Sequence, residues 1–187
     1  MLNVLNEVKS KLPQLLLEKA QKGEINTLYV DYHKPFVSRI WFQLDEINRV
    51  FLHGIQPCNS DIEALWHFHP WESAIEIISG KYEMGIGHSE KNIIPSADCK
   101  IILAVDCPYE MINPNGWHYV APTEKPSYSL MVTGKLFPRR EMHIKPEKEF
   151  RKLTKTEILD ILMNFSAAHD LYQDIEVFEI ADLIIGK

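Results

Sequence analysis

Cysteine is scarce in this chain. Cys58, Cys99 and Cys107 are the only three in 187 residues, and no two form a C-x-x-C pair. That count excludes the disulfide framework on which small secreted domains depend and points to reduced thiols in a cytoplasmic protein. A Cys99–Cys107 bridge is open but not required. Basic charge is short as well. Lys and Arg number 20 against 26 Asp and Glu, a net charge of -6, which argues against nucleic acid as the main partner because phosphate binding needs a basic face. No apolar run approaches the length of a membrane span, so no membrane role is expected. The opening MLNVLNEVKSKLPQLLLEKAQKGE carries Glu7 and Lys9 inside its apolar pattern, unlike a secretory signal. Internal repeats and low-complexity linkers are also missing.

What remains is an ordinary globular composition, 45% apolar and 25% charged, in a chain long enough to bury one substantial core. A single domain over 1–187 is expected, with a helical segment at 1–23, a β-barrel at 26–142 and a helical segment at 145–187. In the first segment Leu2, Leu5, Val8, Leu12, Leu15 and Leu16 recur at helical spacing. Pro13 is expected to open a second short helix, because its missing N–H costs least in a first turn, and Gly23 to end it. Then the character changes. TLYVDY, FVSRIWFQ, RVFLHGI, EALWHFH, AIEIISGKYEMGIG, KIILAVD, HYVAP and SYSLMVTGK are rich in β-branched and aromatic residues, and turn formers such as QPCNSD and NPNG separate them. Eight or more short strands at such spacing predict a mainly β sandwich or barrel. In the tail, Thr154 with Glu157 three residues on predicts a helix start, followed by an apolar face of Ile158, Ile161, Leu162 and Phe165. The final IEVFEIADLII reads as either strand or helix.

The chemistry concentrates in ALWHFHPWESAIEIISGKYEMGIGHS. On a strand, alternate residues share a face, so His67 and His69 lie together while Ala64, Trp66 and Phe68 take the opposite side. Two imidazoles so placed can hold one metal ion; the plainer alternative is a pair of buried, hydrogen-bonded histidines. His118 is the best third ligand, launched by the NPNG turn and flanked by Trp117 and Tyr119. His53 is read either as a structural strand residue or as a partner facing the cavity. His33, His88, His143 and His169 read as surface residues, and FPRREMHIKPEKEFRK as a solvated basic face. The apolar row Ile62, Ala64, Trp66 and Phe68 needs a cover, either the terminal helices or a second copy of the chain, and a homodimer is expected from it.

The order of short strands, H-x-H, an acidic residue, Gly80, then Pro114, Gly116 and His118 resembles the cupin superfamily. The H-P-W-E stretch is also similar to a group of small cupin-like proteins bearing H-x-H-P-W-[DE]. The resemblance spans about residues 48–135. The usual glutamate place is held by Ser73, with Glu72 one residue early and Glu76 three late, and one residue is missing before His118. The resemblance implies a cupin-like double-stranded β-helix, a jelly-roll barrel, with N- and C-terminal helices. It also implies a divalent metal held by His67, His69, Glu72 and His118. Without the acid, three imidazoles leave open positions that suit Fe(II) binding dioxygen and substrate, as in cupin-type thiol dioxygenases; with Glu72 added, Fe, Mn, Ni or Zn would fit. The implied activity is a metal-dependent oxygenase or dioxygenase acting on a small molecule. The alternative is a non-catalytic cupin that binds a small ligand or serves a regulatory or structural role.

Overall fold

A computed structural model describes residues 1–60, 62–90, 93–138, 150–168 and 177–186. His143 and His169, and most of the basic run, lie outside the described residues. The elements run α1 (Leu2–Lys22), β1 (Asn26–Val30), β2 (Val37–Gln43), β3 (Arg49–Ile55), β4 (Trp71–Ser79), β5 (Lys81–His88), β6 (Cys99–Ala104), β7 (Tyr109–Met111), β8 (Gly116–Ala121), β9 (Ser127–Leu136), α2 (Lys155–Ala168) and α3 (Val177–Ile185). The mainly β, cupin-like jelly roll with terminal helices expected from the sequence is the fold observed. Its signature is strand order: β1-β2-β3-β9-β4-β7 in one sheet and β6-β5-β8 in the other, with all named pairs antiparallel. The order β3-β9-β4-β7 facing β6-β5-β8 is that of two interleaved Greek keys.

Gly80 makes the step between the sheets. The apolar run from Ala74 to Gly87 divides there into β4 and β5, which belong to different sheets. Gly80 has φ +85, and a Cβ on it would sit 2.9 Å from the Pro126 carbonyl oxygen. A side chain at this corner would meet both backbone strain and a clash.

Along the six-stranded sheet the pleat sorts residues strictly by parity. Ile40, Phe42, Val50, Leu52, Ala74, Ile78, Leu130 and Val132 face outward and are buried under α1 and α2. Arg39, Trp41, Phe51, His53, Ser73, Ile75, Ile77, Ser129 and Met131 alternate with them along the same strands and face the barrel interior. The outer layer contains one departure from expectation. Helix α1 runs unbroken through Pro13, because Leu5, Val8, Leu12, Leu16 and Ala20 form one continuous stripe on the sheet, which outweighs one lost backbone bond. It ends as expected at Gly23, in the left-handed conformation at φ 69, whose N–H donates to the Ala20 carbonyl. The capping box also forms: Thr154 N donates to Glu157 Oε2 at 2.8 Å and Glu157 N to Thr154 Oγ1 at 3.3 Å. The last apolar stretch is helical over its described part, Val177–Ile185.

EALWHFH is not a strand. It is an extended segment tied at two points, with Leu65 N donating to the Lys34 carbonyl at 3.0 Å and His67 bridged to His118. Its outer row finds a cover that neither expectation named. Phe68 is buried edge-on against Trp117, with ring centroids 5.0 Å apart, and Trp66 meets Tyr119 edge-on at 4.9 Å. Of the four residues in that row only Ile62 is exposed, at 83%. The aromatic pair that motivated a dimer is therefore packed within the chain, while the terminal helices cover the other sheet. All three cysteines are free thiols, Cys58 buried and the other two exposed. Among the described residues no helix is long and apolar enough to cross a membrane.

Candidate metal centre

Two segments bring the histidines together. The NPNG turn closes with Gly116 N donating to the Asn113 carbonyl at 3.0 Å and Asn115 N to Asn113 Oδ1 at 2.9 Å, so β8 starts at Gly116 and His118 follows on its inward face. His118 is 3% exposed rather than at the surface. Across from it, His67 N and His118 N each donate to the other's carbonyl, both at 2.9 Å. This reciprocal pair fixes the two backbones in register, and His69 follows on the same side as His67.

The result is a convergent set of ring nitrogens. His118 Nε2 lies 3.0 Å from His67 Nε2 and 3.2 Å from His69 Nε2. Metal–nitrogen bonds of about 2.1 Å meeting at roughly 90–110° would separate their nitrogens by about 3.0–3.4 Å. The cluster therefore has the dimensions of one face of a coordination sphere. The far side of each ring supports this orientation. His67 Nδ1 donates to the Leu65 carbonyl at 3.1 Å, and His69 Nδ1 lies 2.6 Å from Ser73 Oγ. With Nδ1 engaged, Nε2 is left as the lone-pair nitrogen aimed at the centre. His118 Nδ1 is buried with no hydrogen-bond partner.

Burial disfavours the charged form of two of these rings, His69 and His118. It holds His69 down to about 3, with His67 and then Arg39 adding to the effect, and His118 well below the ordinary imidazole value, with His67 and His69 adding to it. His53 is also buried, at 6% exposed, and held well below by the same desolvation, with the charge of Arg39 second.

Among the described residues the convergent group is His67, His69 and His118 alone. Glu72, expected as a fourth member, is not brought to it. The register of β4 shifts between Trp71 and Ser73, which places Ser73 at the cluster, where its hydroxyl meets His69. Glu72 Oε2 instead lies 3.7 Å from where a Cβ on Gly134 would stand, with the Met1 side chain at the same spot. Glu76 sits on the helix-facing side as well. Its carboxylate accepts from Lys9 Nζ of α1 at 2.5 Å, the pairing that a buried acid in an apolar run requires. His33 is part-buried and His88 exposed.

Sequence reasoning treated Ser73 only as the residue standing where a glutamate was wanted, and did not single out Arg39. A lone arginine between apolar residues of FVSRIWFQ, at inward parity, was the available signal. Nothing in the sequence selects Tyr82 or Tyr109 from among the tyrosines of the strands. Their hydroxyls meet at 2.9 Å inside the barrel, and burial pushes both phenols up.

No protein-family model matches the chain, and no curated protein matches it. Solved structures do resemble it. Hydroxypropylphosphonic acid epoxidase from S. wedmorenis is 16% identical, with a TM-score of 0.45 over 59% of this chain and 55% of its own. AerE from Microcystis aeruginosa is 15% identical, TM-score 0.45, over 71% of this chain and 55% of its own. A structure of the DMSP lyases RdDddP and RnDddQII is 15% identical, TM-score 0.42, over 58% of this chain and 53% of its own. The chain thus matches only about half the length of each.

Proposed function

We propose that this chain is a metal-dependent cupin-like protein in which His67, His69 and His118 hold one divalent transition-metal ion, and that it acts on a small molecule as an oxygenase. The observation that carries this reading is the convergence of three Nε2 atoms at 3.0 and 3.2 Å with the opposite nitrogens of two rings engaged elsewhere. Three neutral imidazoles with no carboxylate leave several coordination positions open on a dipositive ion, and such a set favours Fe(II), with Zn, Ni and Mn as competitors. A bound metal would supply Lewis acidity and, if iron, a site for dioxygen. The protein's own part is to present unprotonated nitrogens, to hold two rings by the Leu65 carbonyl and Ser73, and to line the remaining volume with Phe51, Ile75 and Met131, which exclude water.

The second reading is a non-catalytic cupin that binds a small ligand. It is favoured by the absence of any carboxylate from the convergent group among the described residues, which leaves no acid–base partner of that type at the centre. Metal analysis of tag-free protein, followed by oxygen uptake, separates the two. Near one equivalent of metal is expected in the wild type, and a loss of about a hundredfold or more in affinity in each of His67→Ala, His69→Ala and His118→Ala, with the fold retained. Glu72→Gln is expected to keep its metal. Full occupancy in His118→Ala would overturn the ligand set, and stoichiometric iron with no oxygen uptake across small-molecule panels would favour the binder.

A further inference from the structure

The three rings of the centre are not held alike, and the difference decides where their hydrogens sit. The partners of each ring nitrogen assign its tautomer. His67 is fixed from its far side. Its Nδ1 lies 3.1 Å from the Leu65 carbonyl, which only accepts, so Nδ1 carries the hydrogen and Nε2 a lone pair. His69 Nδ1 lies 2.6 Å from Ser73 Oγ, a hydroxyl that can give or take. His118 has no such hold, for its Nδ1 is buried with no hydrogen-bond partner.

The near side assigns the third ring. His118 Nε2 stands 3.0 Å from His67 Nε2, a hydrogen-bond distance. Two lone pairs facing each other across that gap would repel, so His118 brings the hydrogen. The orphaned Nδ1 selects the same tautomer independently. With its hydrogen on Nε2, the ring leaves a bare acceptor at Nδ1. The other tautomer would leave a buried N–H with nowhere to donate, which is the rarer defect in folded proteins. His69 Nε2, 3.2 Å from His118 Nε2, is then a second acceptor of the same hydrogen, while its own Nδ1–H donates to Ser73 Oγ.

We propose that in the metal-free chain the hydrogen on His118 Nε2 clasps the three rings together in the place an ion would take, and that metal loading moves this hydrogen to His118 Nδ1. The inference deepens the metal-centre reading and rests on it for the second half of the exchange. The Nε2–H bond breaks, an Nδ1–H bond forms, and a bond from Nε2 to the ion replaces the first, with solvent carrying the proton between the two nitrogens. No ring changes its charge. His67 and His69 keep their hydrogens where they are, so they are the preformed part of the centre and His118 is the gate through which it loads. The exchange leaves His118 with a buried N–H and no acceptor, which makes it the ligand that the chain supports least.

The test reads the ring hydrogens directly, by proton–nitrogen correlation NMR on the full chain with isotopically labelled histidine rings. Spectra are taken after a chelator has stripped the metal and again with one equivalent of zinc(II), which is diamagnetic. Each ring is assigned through bonds to its own Cβ hydrogens, so no variant has to fold. In the stripped chain His118 is expected as the Nε2–H tautomer, and His67 and His69 as Nδ1–H. Zinc should switch His118 alone, to Nδ1–H. An Nδ1–H tautomer at His118 in the stripped chain, or an even mixture of its two tautomers, would overturn the proposal. So would zinc binding that switches His67 or His69 instead. If the stripped pattern is as expected and zinc changes none of the three rings, the exchange and the metal reading fail while the clasp stands, which keeps the two failures distinct.

Discussion

The two faces of the six-stranded sheet are built from the same strands and obey opposite rules. On the helix side, Ile40, Phe42, Val50, Leu52, Leu130 and Val132 are each 0% exposed, and the polar groups that enter are matched, Glu76 by Lys9 and the Tyr128 hydroxyl by Asp160 at 2.6 Å. On the barrel side, histidine, arginine and serine interrupt the apolar wall. Among the described residues four buried side-chain polar atoms lack partners, and two of them, Arg39 Nε and His53 Nε2, belong to the barrel face of this sheet. Stability is concentrated on one face and unmet valence on the other. A sheet two residues in period makes this separation available at no cost in length, since neighbours in sequence serve different purposes.

Leu130 and Ser129 put that contrast in two adjacent residues. Leu130→Ala removes a fully buried side chain from the helix-facing core and is expected to cost about 3 kcal/mol in urea denaturation of the full chain. Ser129→Ala, one residue away on the barrel face, should cost less than about 1 kcal/mol, since its contact to His53 is long. Comparable losses for the two would erase the division.

A smaller effect is expected from the charge matched across the helix face. The Glu76 side chain is 5% exposed and Lys9 is its partner at 2.5 Å. Lys9→Met leaves a buried carboxylate unpaired and should cost about 2 kcal/mol, whereas Lys9→Met combined with Glu76→Leu should recover most of it. A double variant as unstable as the single one would mean that α1 is held there by something other than this pair.

The mildest expected change lies at the start of α2. The Arg151 guanidinium, with help from Thr154, draws the Glu157 carboxyl down to about 2 from its ordinary value near 4.5. The native state thus holds this proton more weakly than the unfolded chain. The stabilisation is complete above pH ~4.5 and is lost as the pH falls toward ~2. Because the pair is largely solvated, Glu157→Gln should cost only about 1 kcal/mol at pH 7, and the gap to the wild type should close across that acid window. A gap unchanged at pH 3 would assign the effect to the cap rather than to the charge.

The sequence made the barrel and its histidines legible because both rest on local signals. Alternation marks strands, NPNG marks the turn that presents His118, and Thr154 with Glu157 marks a helix start. Each is a matter of a few neighbouring residues. Misreadings arose where a distant partner decided the outcome. Pro13 could not be known to sit inside a helix without the sheet that holds the stripe around it. Glu72 was grouped with the histidines by its likeness to H-x-H-P-W-[DE], a pattern that carries no information on the register shift between Trp71 and Ser73. Phe68 looked like an exposed aromatic until Trp117, nearly fifty residues on, supplied its cover. Arg39 was passed over because its one signal, a lone arginine at inward parity, is a single residue with no repeating pattern around it.

The reciprocal main-chain bridge between His67 and His118 has a consequence for how this centre can change over generations. The relative position of the two segments is set by peptide groups that every residue except proline possesses, not by the imidazoles themselves. A substitution at 67 or 118 therefore alters the donor offered to the centre without dismantling the frame that offers it. The frame would outlast such an exchange, although a carboxylate at 118, where the present residue is 3% exposed, would need a partner to offset its burial. The backbone is the frame, and the side chains at 67 and 118 are replaceable parts mounted on it.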